Sequence, residues 1–225
     1  SEKTLQHLRE FTDPTTFAIV TGQQVGLYGG PLYTVYKTIT AIKLAKQLAT
    51  ASPDYKFLPV FWLEGEDHDV DEVRKIGLLN TDGLPVIAEY LIGGKSQDKN
   101  LGAAGELAFN GYLSTFVDQV HKILPPSEFK EALFALLNDT YKVPATFNLA
   151  FARLLNGYFP DEGLIFISPN DARLKKLVAP IFEREIQEFP KVSQLIIQRS
   201  AQLEEHYHAQ IKTKALNLFL FHKGG

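Results

Sequence analysis

The glycine-rich loop at residues 21–31, TGQQVGLYGGP, stands between an apolar run and a helical pattern, and it could bind an anion. Glycines allow backbone N–H groups to point into a concavity, and a helix N-terminus adds about half a positive charge. Tyr33 and Lys37 are four residues apart, so both can reach a ligand at that terminus. We predict a nucleotide or other anion bound by Gly22, Gln23, Gln24, Gly29, Gly30, Tyr33 and Lys37.

The loop matches neither the P-loop, since no Gly-Lys-Ser/Thr is present, nor the G-x-G-x-x-G dinucleotide fingerprint. Walker-type hydrolysis and hydride transfer therefore lose support. The alternative is a tight turn between a strand and a helix that binds no ligand.

A second group of chemically active side chains follows the apolar run at residues 57–63. Open α/β sheets bind ligands beyond the ends of their strands, which favours a site here. His68 between Asp67 and Asp69 could act as a general base or orient a substrate ammonium or hydroxyl group. We predict these three residues to be catalytic. The carboxylates would also suit Mg²⁺, although no residue is assigned as a metal ligand. The alternative is that this segment is only a solvated, acidic start of a helix. The acidic segment as a whole consists of Glu64, Glu66, Asp67, His68, Asp69, Asp71 and Glu72.

Composition narrows the class of protein. The 225 residues carry a net charge of −3 without a basic patch, which argues against nucleic acid as a partner. No apolar run approaches the roughly 18–20 residues that span a bilayer, so we expect no membrane segment. The absence of cysteine rules out disulfides and thiolate sites. A cytoplasmic protein is the simplest expectation.

The elements that position these groups follow from hydrophobic periodicity. Their order predicts an α/β fold with an open, mostly parallel, Rossmann-like sheet. Residues 1–83 and 160–225 would form the core, and residues 84–159 a mainly helical insertion. The first long helix should pack on the sheet through Leu32, Val35, Tyr36, Ile39 and Ile42. We predict strands at 17–21, 57–63, 86–91, 163–168 and 216–221, a loop at 93–105, and helices at 32–49, 111–124, 127–141, 145–159, 171–189 and 192–213.

Three blocks of sequence resemble one family, the BshC cysteine-adding enzymes of bacillithiol biosynthesis. They are VTGQQVGLYGGPLYTVYKTITAIKLAKQL (20–48), PVFWLEGEDHDVDEV (59–73) and GLIFISPNDARLKKLVAPIFEREI (163–186). The resemblance implies a core like that of class I aminoacyl-tRNA synthetases with a connecting-peptide insertion. It implies a ligase that joins the cysteine carboxyl group to the amine of malyl-glucosamine.

Members of that family are about twice this length, so the resemblance implies an N-proximal fragment that is inactive alone. The full-length protein would form a homodimer through a coiled coil. ATP or another nucleotide would activate the carboxylate. The synthetases carry Gly-Pro-x-His-x-Gly-His where this chain has Gly30-Pro31-Leu32-Tyr33, and neither histidine is present. ATP as the activator therefore stays open.

Two other functions remain open on the residues alone. A metal-dependent hydrolase or phosphotransferase could use Glu66, Asp67, His68 and Asp69. A non-catalytic interaction fragment could bind a partner through the helices of the insertion.

Overall fold

The computed structural model describes residues 1–92 and 101–211, and residues 213, 214, 216 and 218 after them. The chain divides into two compact units, Ser1–Pro169 and Asn170–Gly225. In chain order the helices and strands are α1 (Glu2–Glu10), β1 (Thr16–Gln24), α2 (Tyr33–Ala51), β2 (Lys56–Glu64), α3 (Val70–Val73), β3 (Lys75–Leu79), β4 (Pro85–Glu89), α4 (Tyr112–Ile123), α5 (Lys130–Thr140), α6 (Phe147–Tyr158), β5 (Ile165–Ile167) and α7 (Ala172–Glu204).

Three strands form a parallel sheet in the order β1-β2-β5, which confirms the predicted open α/β architecture. The run FLPVFWL becomes β2, the central strand, and its residues 58–61 are all buried. β1 and β2 pair along their whole length, from Thr16 opposite Lys56 to Gln24 opposite Glu64. All three strands therefore end on the same side. We call these strand ends, with the segments that directly follow them, the carboxyl edge.

Helix α2 connects β1 to β2, and its inward face only partly matches the predicted one: Ile42 is buried, and Val35 and Ile39 are half-buried. Leu32 and Tyr36, predicted to be buried, are 68% and 62% exposed. Small side chains let a helix approach a sheet closely, whereas the larger apolar residues would hold it away. The buried positions of the helix are Thr34, Thr38, Ala41, Ile42 and Ala45.

The main hydrophobic core joins β2 to the glycine loop and to α4, α5 and α6. Phe61 of β2 and Phe151 of α6 have ring centroids 5.8 Å apart, and Leu27 of the loop is 1% exposed. Helix α6, which the sequence analysis places in the insertion, thus shares one core with the sheet. The division into a core of 1–83 and 160–225 and an insertion of 84–159 stays a prediction.

The strand predicted at 86–91 is β4, which lies outside the parallel sheet. It pairs antiparallel with β3, a strand that the sequence analysis missed, from Lys75 opposite Glu89 to Leu79 opposite Pro85. The hairpin between them is closed by Asn80, whose Oδ1 accepts from the N–H groups of Asp82 and Leu84.

The two helices predicted at 171–189 and 192–213 are wrong as separate elements, since α7 runs unbroken from Ala172 to Glu204. A proline inside a helix removes one backbone hydrogen bond, and α7 continues through both Pro180 and Pro190. The strand predicted at 216–221 falls mostly outside the described residues, as does the 93–100 part of the predicted loop. Within the described ranges, no helix has the length and apolar character needed to cross a membrane.

Candidate functional site

The carboxyl edge brings the two predicted groups of functional residues together. Gln24 ends β1 beside Glu64, which ends β2. The Val25 N–H donates to the Glu64 carbonyl at 3.0 Å, so the glycine loop leaves β1 alongside the acidic segment. Parallel pairing thus places at one edge side chains that lie 40 residues apart in the sequence.

Asp67 is the residue through which the two groups meet. Its Oδ2 accepts from Gln24 Nε2 at 3.1 Å, and its Oδ1 accepts from the Asp69 N–H at 3.1 Å. His68 Nδ1 lies 3.5 Å from Asp67 Oδ1, and the His68 side chain is 73% exposed. Asp67 is therefore held by the protein, while the imidazole next to it faces solvent and could exchange a proton with a ligand.

Asp69 and Asp71 have clear structural partners. Asp69 is the N-cap of α3, since its Oδ1 accepts from the Glu72 N–H at 3.2 Å. Asp71 binds the buried guanidinium of Arg74, and the hydrogen bond from Arg74 lowers the pKa of Asp71. The solvated helix start weighed in the sequence analysis thus describes these two residues well. A catalytic role for Asp69 stays a prediction.

The side chains of Gln23, Tyr33 and Lys37 are joined by hydrogen bonds between the end of β1 and the start of α2. Lys37 Nζ donates to Gln23 Oε1 at 3.2 Å, and Gln23 Nε2 donates to the Tyr33 hydroxyl at 3.2 Å. Lys37 Nζ also lies 5.7 Å from the centroid of the Tyr33 ring. Lys37 and Tyr33 are both exposed. An exposed ammonium group flanked by an amide and a phenol is suited to an anionic ligand.

The backbone groups of Gly26, Gly29 and Gly30 already form hydrogen bonds within the protein. The Gly29 N–H donates to the Tyr141 hydroxyl at 3.2 Å, and that hydroxyl donates to the Gly26 carbonyl at 3.1 Å. The Gly30 N–H donates to the Leu27 carbonyl at 3.0 Å. The amides of Gly29 and Gly30 therefore do not form an open cradle for a phosphate group.

Three positions of the loop require glycine, two because of their backbone conformation and a third because of close packing. Gly29 and Gly30 adopt φ values of 88° and 66°, which side chains rarely tolerate. A Cβ at Gly22 would lie 2.9 Å from Trp62 Cβ, so the close approach of β1 to β2 requires glycine there. Anion binding by these three glycines stays a prediction that the loop geometry does not favour.

Three further polar residues reach the carboxyl edge, and the sequence analysis missed them. Asn148 Nδ2 donates to Glu106 Oε1 at 3.1 Å and lies 3.4 Å from Ser168 Oγ. Ser168 follows β5, so the rule that singled out residues 64–72 could have found it. Asn148 and Glu106 come from distant segments and gave no sequence signal.

Within the described part of the chain, no three or more His, Asp and Glu side chains converge in a way that could hold a metal ion. The residues predicted for a metal-dependent hydrolase are instead directed to separate partners. Asp67 faces Gln24, and Asp69 caps α3. The geometry gives the hydrolase and phosphotransferase alternatives no specific support.

The whole chain, residues 1–225, matches the sequence profile of a domain described as "Bacillithiol biosynthesis BshC, N-terminal Rossmann-like domain". The chain belongs to the BshC family. The Rossmann-like description agrees with the parallel sheet and its crossover helices. The resemblance of the three sequence blocks to this family is thereby confirmed.

Curated BshC relatives align with nearly all of the chain, and each is named "Putative cysteine ligase BshC". The relative from Salinibacter ruber is 40% identical over 223 residues, which cover 97% of this chain and 39% of the relative. That from Chloroherpeton thalassium is 38% identical over 97% of the chain and 39% of the relative. That from Bacillus cereus strain G9842 is 30% identical over 98% and 40%. The chain thus spans about two fifths of the length of these BshC proteins.

Proposed function

We propose that the full-length protein is a carbon–nitrogen ligase of bacillithiol biosynthesis, which joins the carboxyl group of cysteine to the amine of malyl-glucosamine. The observation that carries the proposal is the match of all 225 residues to the BshC domain. We further propose a cytoplasmic location and a homodimer formed through a coiled coil. The 225 residues alone are expected to be inactive.

Amide formation places two demands on the site. A carboxylate is a poor acyl donor until it is activated, and the amine must approach it as a free base. A nucleoside triphosphate, when bound, supplies the group that activates the carboxylate. The protein must then bind an anionic group beside the position of the amine.

The hydrogen-bonded side chains of Gln23, Tyr33 and Lys37 can bind the anionic group. The exposed ammonium group of Lys37 suits a phosphate or carboxylate, and it stands at the start of α2, where the helix dipole also favours an anion. The loop amides of Gly29 and Gly30 are occupied, so we assign the anion to these side chains rather than to the loop backbone.

Asp67 and His68 can bind the amine and remove its proton. Asp67 is fixed by Gln24 and can hold an ammonium group at the same end of the sheet. His68 is exposed beside it and can take the proton that the amine loses. Asp69 stabilises this segment, because its side chain caps α3 and its N–H donates to Asp67.

The test uses the full-length protein with cysteine, malyl-glucosamine and a series of nucleoside triphosphates. Mass spectrometry should detect a thiol whose mass is the sum of the two substrates less one water. His68→Ala should lower the rate by about a hundredfold, in the range found for general bases. Glu72→Gln, four residues further along, is the matched control and should keep the wild-type rate. A folded sample that forms no amide with any nucleotide would rule out the ligase.

A further inference from the structure

Asn148 is a buried amide at the carboxyl edge whose role the family assignment leaves unexplained. It lies in the first turn of α6 and is 8% exposed. Its Oδ1 is buried and has no hydrogen-bond partner among the described residues. An unpaired buried oxygen is unfavourable, so an apolar residue would fill the same space at lower cost. The amide must therefore serve a purpose other than packing.

The surrounding backbone makes room for this amide. A Cβ at either Gly65 or Gly105 would lie 2.4 Å from Asn148 Oδ1, so both positions require glycine. The Gly105 N–H donates to the Gly65 carbonyl at 2.9 Å, and the Ala104 N–H donates to the Asp67 carbonyl at 2.8 Å. Two separate segments, 65–67 and 104–105, thus pack against the Asn148 side chain next to Asp67.

The other end of the amide fixes a carboxylate. Asn148 Nδ2 donates to Glu106 Oε1 at 3.1 Å and lies 3.4 Å from the Ser168 hydroxyl. An ionised carboxylate only accepts hydrogen bonds, so the nitrogen of the amide must face Glu106. Glu106 is itself exposed. Its carboxylate is therefore held from behind by a buried donor while it remains open to solvent at the carboxyl edge.

We propose that Glu106 binds the primary ammonium group of a substrate, and that Asn148 is the positioning residue that holds Glu106 for this task. The inference rests on the proposed function, because a ligase for cysteine and an aminosugar must recognise a primary amine in each substrate. An ammonium group has three donors and pairs with carboxylates through charge-assisted hydrogen bonds. Asp67, on the segment joined to Ala104, supplies a second carboxylate nearby.

Steady-state kinetics of the full-length Glu106→Gln variant test the ammonium site. The KM of one amine substrate should rise by about tenfold or more, as for loss of a charged hydrogen bond, while kcat changes by less than about threefold. A rise confined to cysteine identifies its α-ammonium group, and one confined to malyl-glucosamine identifies the acceptor amine. Glu131→Gln is the control, since its side chain is 84% exposed on α5. Unchanged KM values for both substrates would overturn the proposal.

The positioning role is tested separately with Asn148→Asp, which keeps the shape but turns the donor that faces Glu106 into an acceptor. The same KM should rise in this variant. A purely structural residue would lower the folded fraction, and hence kcat, at unchanged KM, and that result would overturn the role of Asn148.

Calorimetry provides a readout that does not depend on turnover. The wild-type protein should bind the identified amine substrate more tightly than its deaminated analogue, which for cysteine is 3-mercaptopropionate, and Glu106→Gln should abolish that preference. If wild-type protein shows the preference but makes no amide, the ligase proposal fails and the ammonium site stands. If Glu106→Gln keeps the preference, the ammonium site fails.

Discussion

The hydroxyl group of Tyr141 ties the two sides of the glycine loop together, and its removal tests how firmly the loop is held. Tyr141 is 2% exposed. Its hydroxyl donates to the Gly26 carbonyl at 3.1 Å and accepts from the Gly29 N–H at 3.2 Å. Burial raises the pKa of this phenol, so it stays protonated and available as a donor. Tyr141→Phe keeps the ring contacts with Tyr28 and Phe109 while it deletes both bonds.

The expected loss follows from those two bonds. A buried neutral hydrogen bond contributes about 1 kcal/mol net, and a backbone group left unpaired costs about 1–3 kcal/mol. Gly26 and Gly29 are both buried, so solvent does not replace the hydroxyl directly. Relief of the phenol's own desolvation offsets part of the loss. We expect the free energy of unfolding to fall by about 2–3 kcal/mol.

Urea unfolding of the 225-residue chain, followed by the fluorescence of Trp62, measures this loss, because Trp62 is the single tryptophan. With an m-value of about 2–3 kcal/mol/M, the midpoint should fall by about 1 M. Tyr112→Phe is the matched control, since Tyr112 is 49% exposed. If both variants unfold within about 0.5 kcal/mol of wild type, the hydroxyl does not hold the loop and the reasoning is refuted.

Three further predictions concern other parts of the chain. Gly65→Ala should lower the free energy of unfolding by about 1–3 kcal/mol, whereas Gly111→Ala should not, because a Cβ there meets nothing within 4 Å. Equal melting temperatures of the two variants would contradict this. Hydrogen bonds from Thr15 lower the pKa of Asp13 to about 2 from 3.8. The ionised carboxylate therefore stabilises the fold at pH values above the pKa of Asp13 in the unfolded chain. The difference in melting temperature between the wild-type protein and Asp13→Asn should disappear as the pH falls from about 4 to about 2. A gap that stays constant over this range would disprove it. Lys37→Ala should weaken pyrophosphate binding by the full-length protein about tenfold in calorimetry, as for loss of a charged contact, and Lys43→Ala, an exposed lysine further along α2, should not. Equal affinities would refute the anion site.

The sequence predicted the parallel sheet because its strands carry strong local signals. The run FLPVFWL is apolar without alternation, which is typical of a strand covered on both faces, and it is the central strand β2. The face of α2 was less predictable. Its large apolar residues form an arc, yet Thr34, Thr38 and Ala41 pack inward, because the distance from helix to sheet decides which side chains fit.

In the candidate site, too, some residues were predictable from the sequence and the contacts between distant residues were not. Asp67 and His68 follow β2, so the rule that ligands bind beyond strand ends selected them from sequence, whereas Gln23 and Lys37 were selected because they belong to a glycine-rich loop and to the start of the helix after it. The bond from Gln24 to Asp67 joins residues 43 positions apart. That contact depends on strand register, which a single sequence does not reveal. The hydrogen bonds between the glycine loop and Tyr141 were likewise not predictable, since Tyr141, the residue after α5, lies 112 positions beyond Gly29.

The sequence by itself determined the family, through the resemblance of its three blocks, and the strands of the parallel sheet with helices α2, α4, α5 and α6, through local periodicity. Only the tertiary structure decided how those segments are used. It occupies the amide of Gly29 with the Tyr141 hydroxyl, joins Gln24 to Asp67, and brings Asn148 and Glu106 to the carboxyl edge. These outcomes depend on which distant groups compete for each hydrogen bond, and that competition is settled only when the chain is packed.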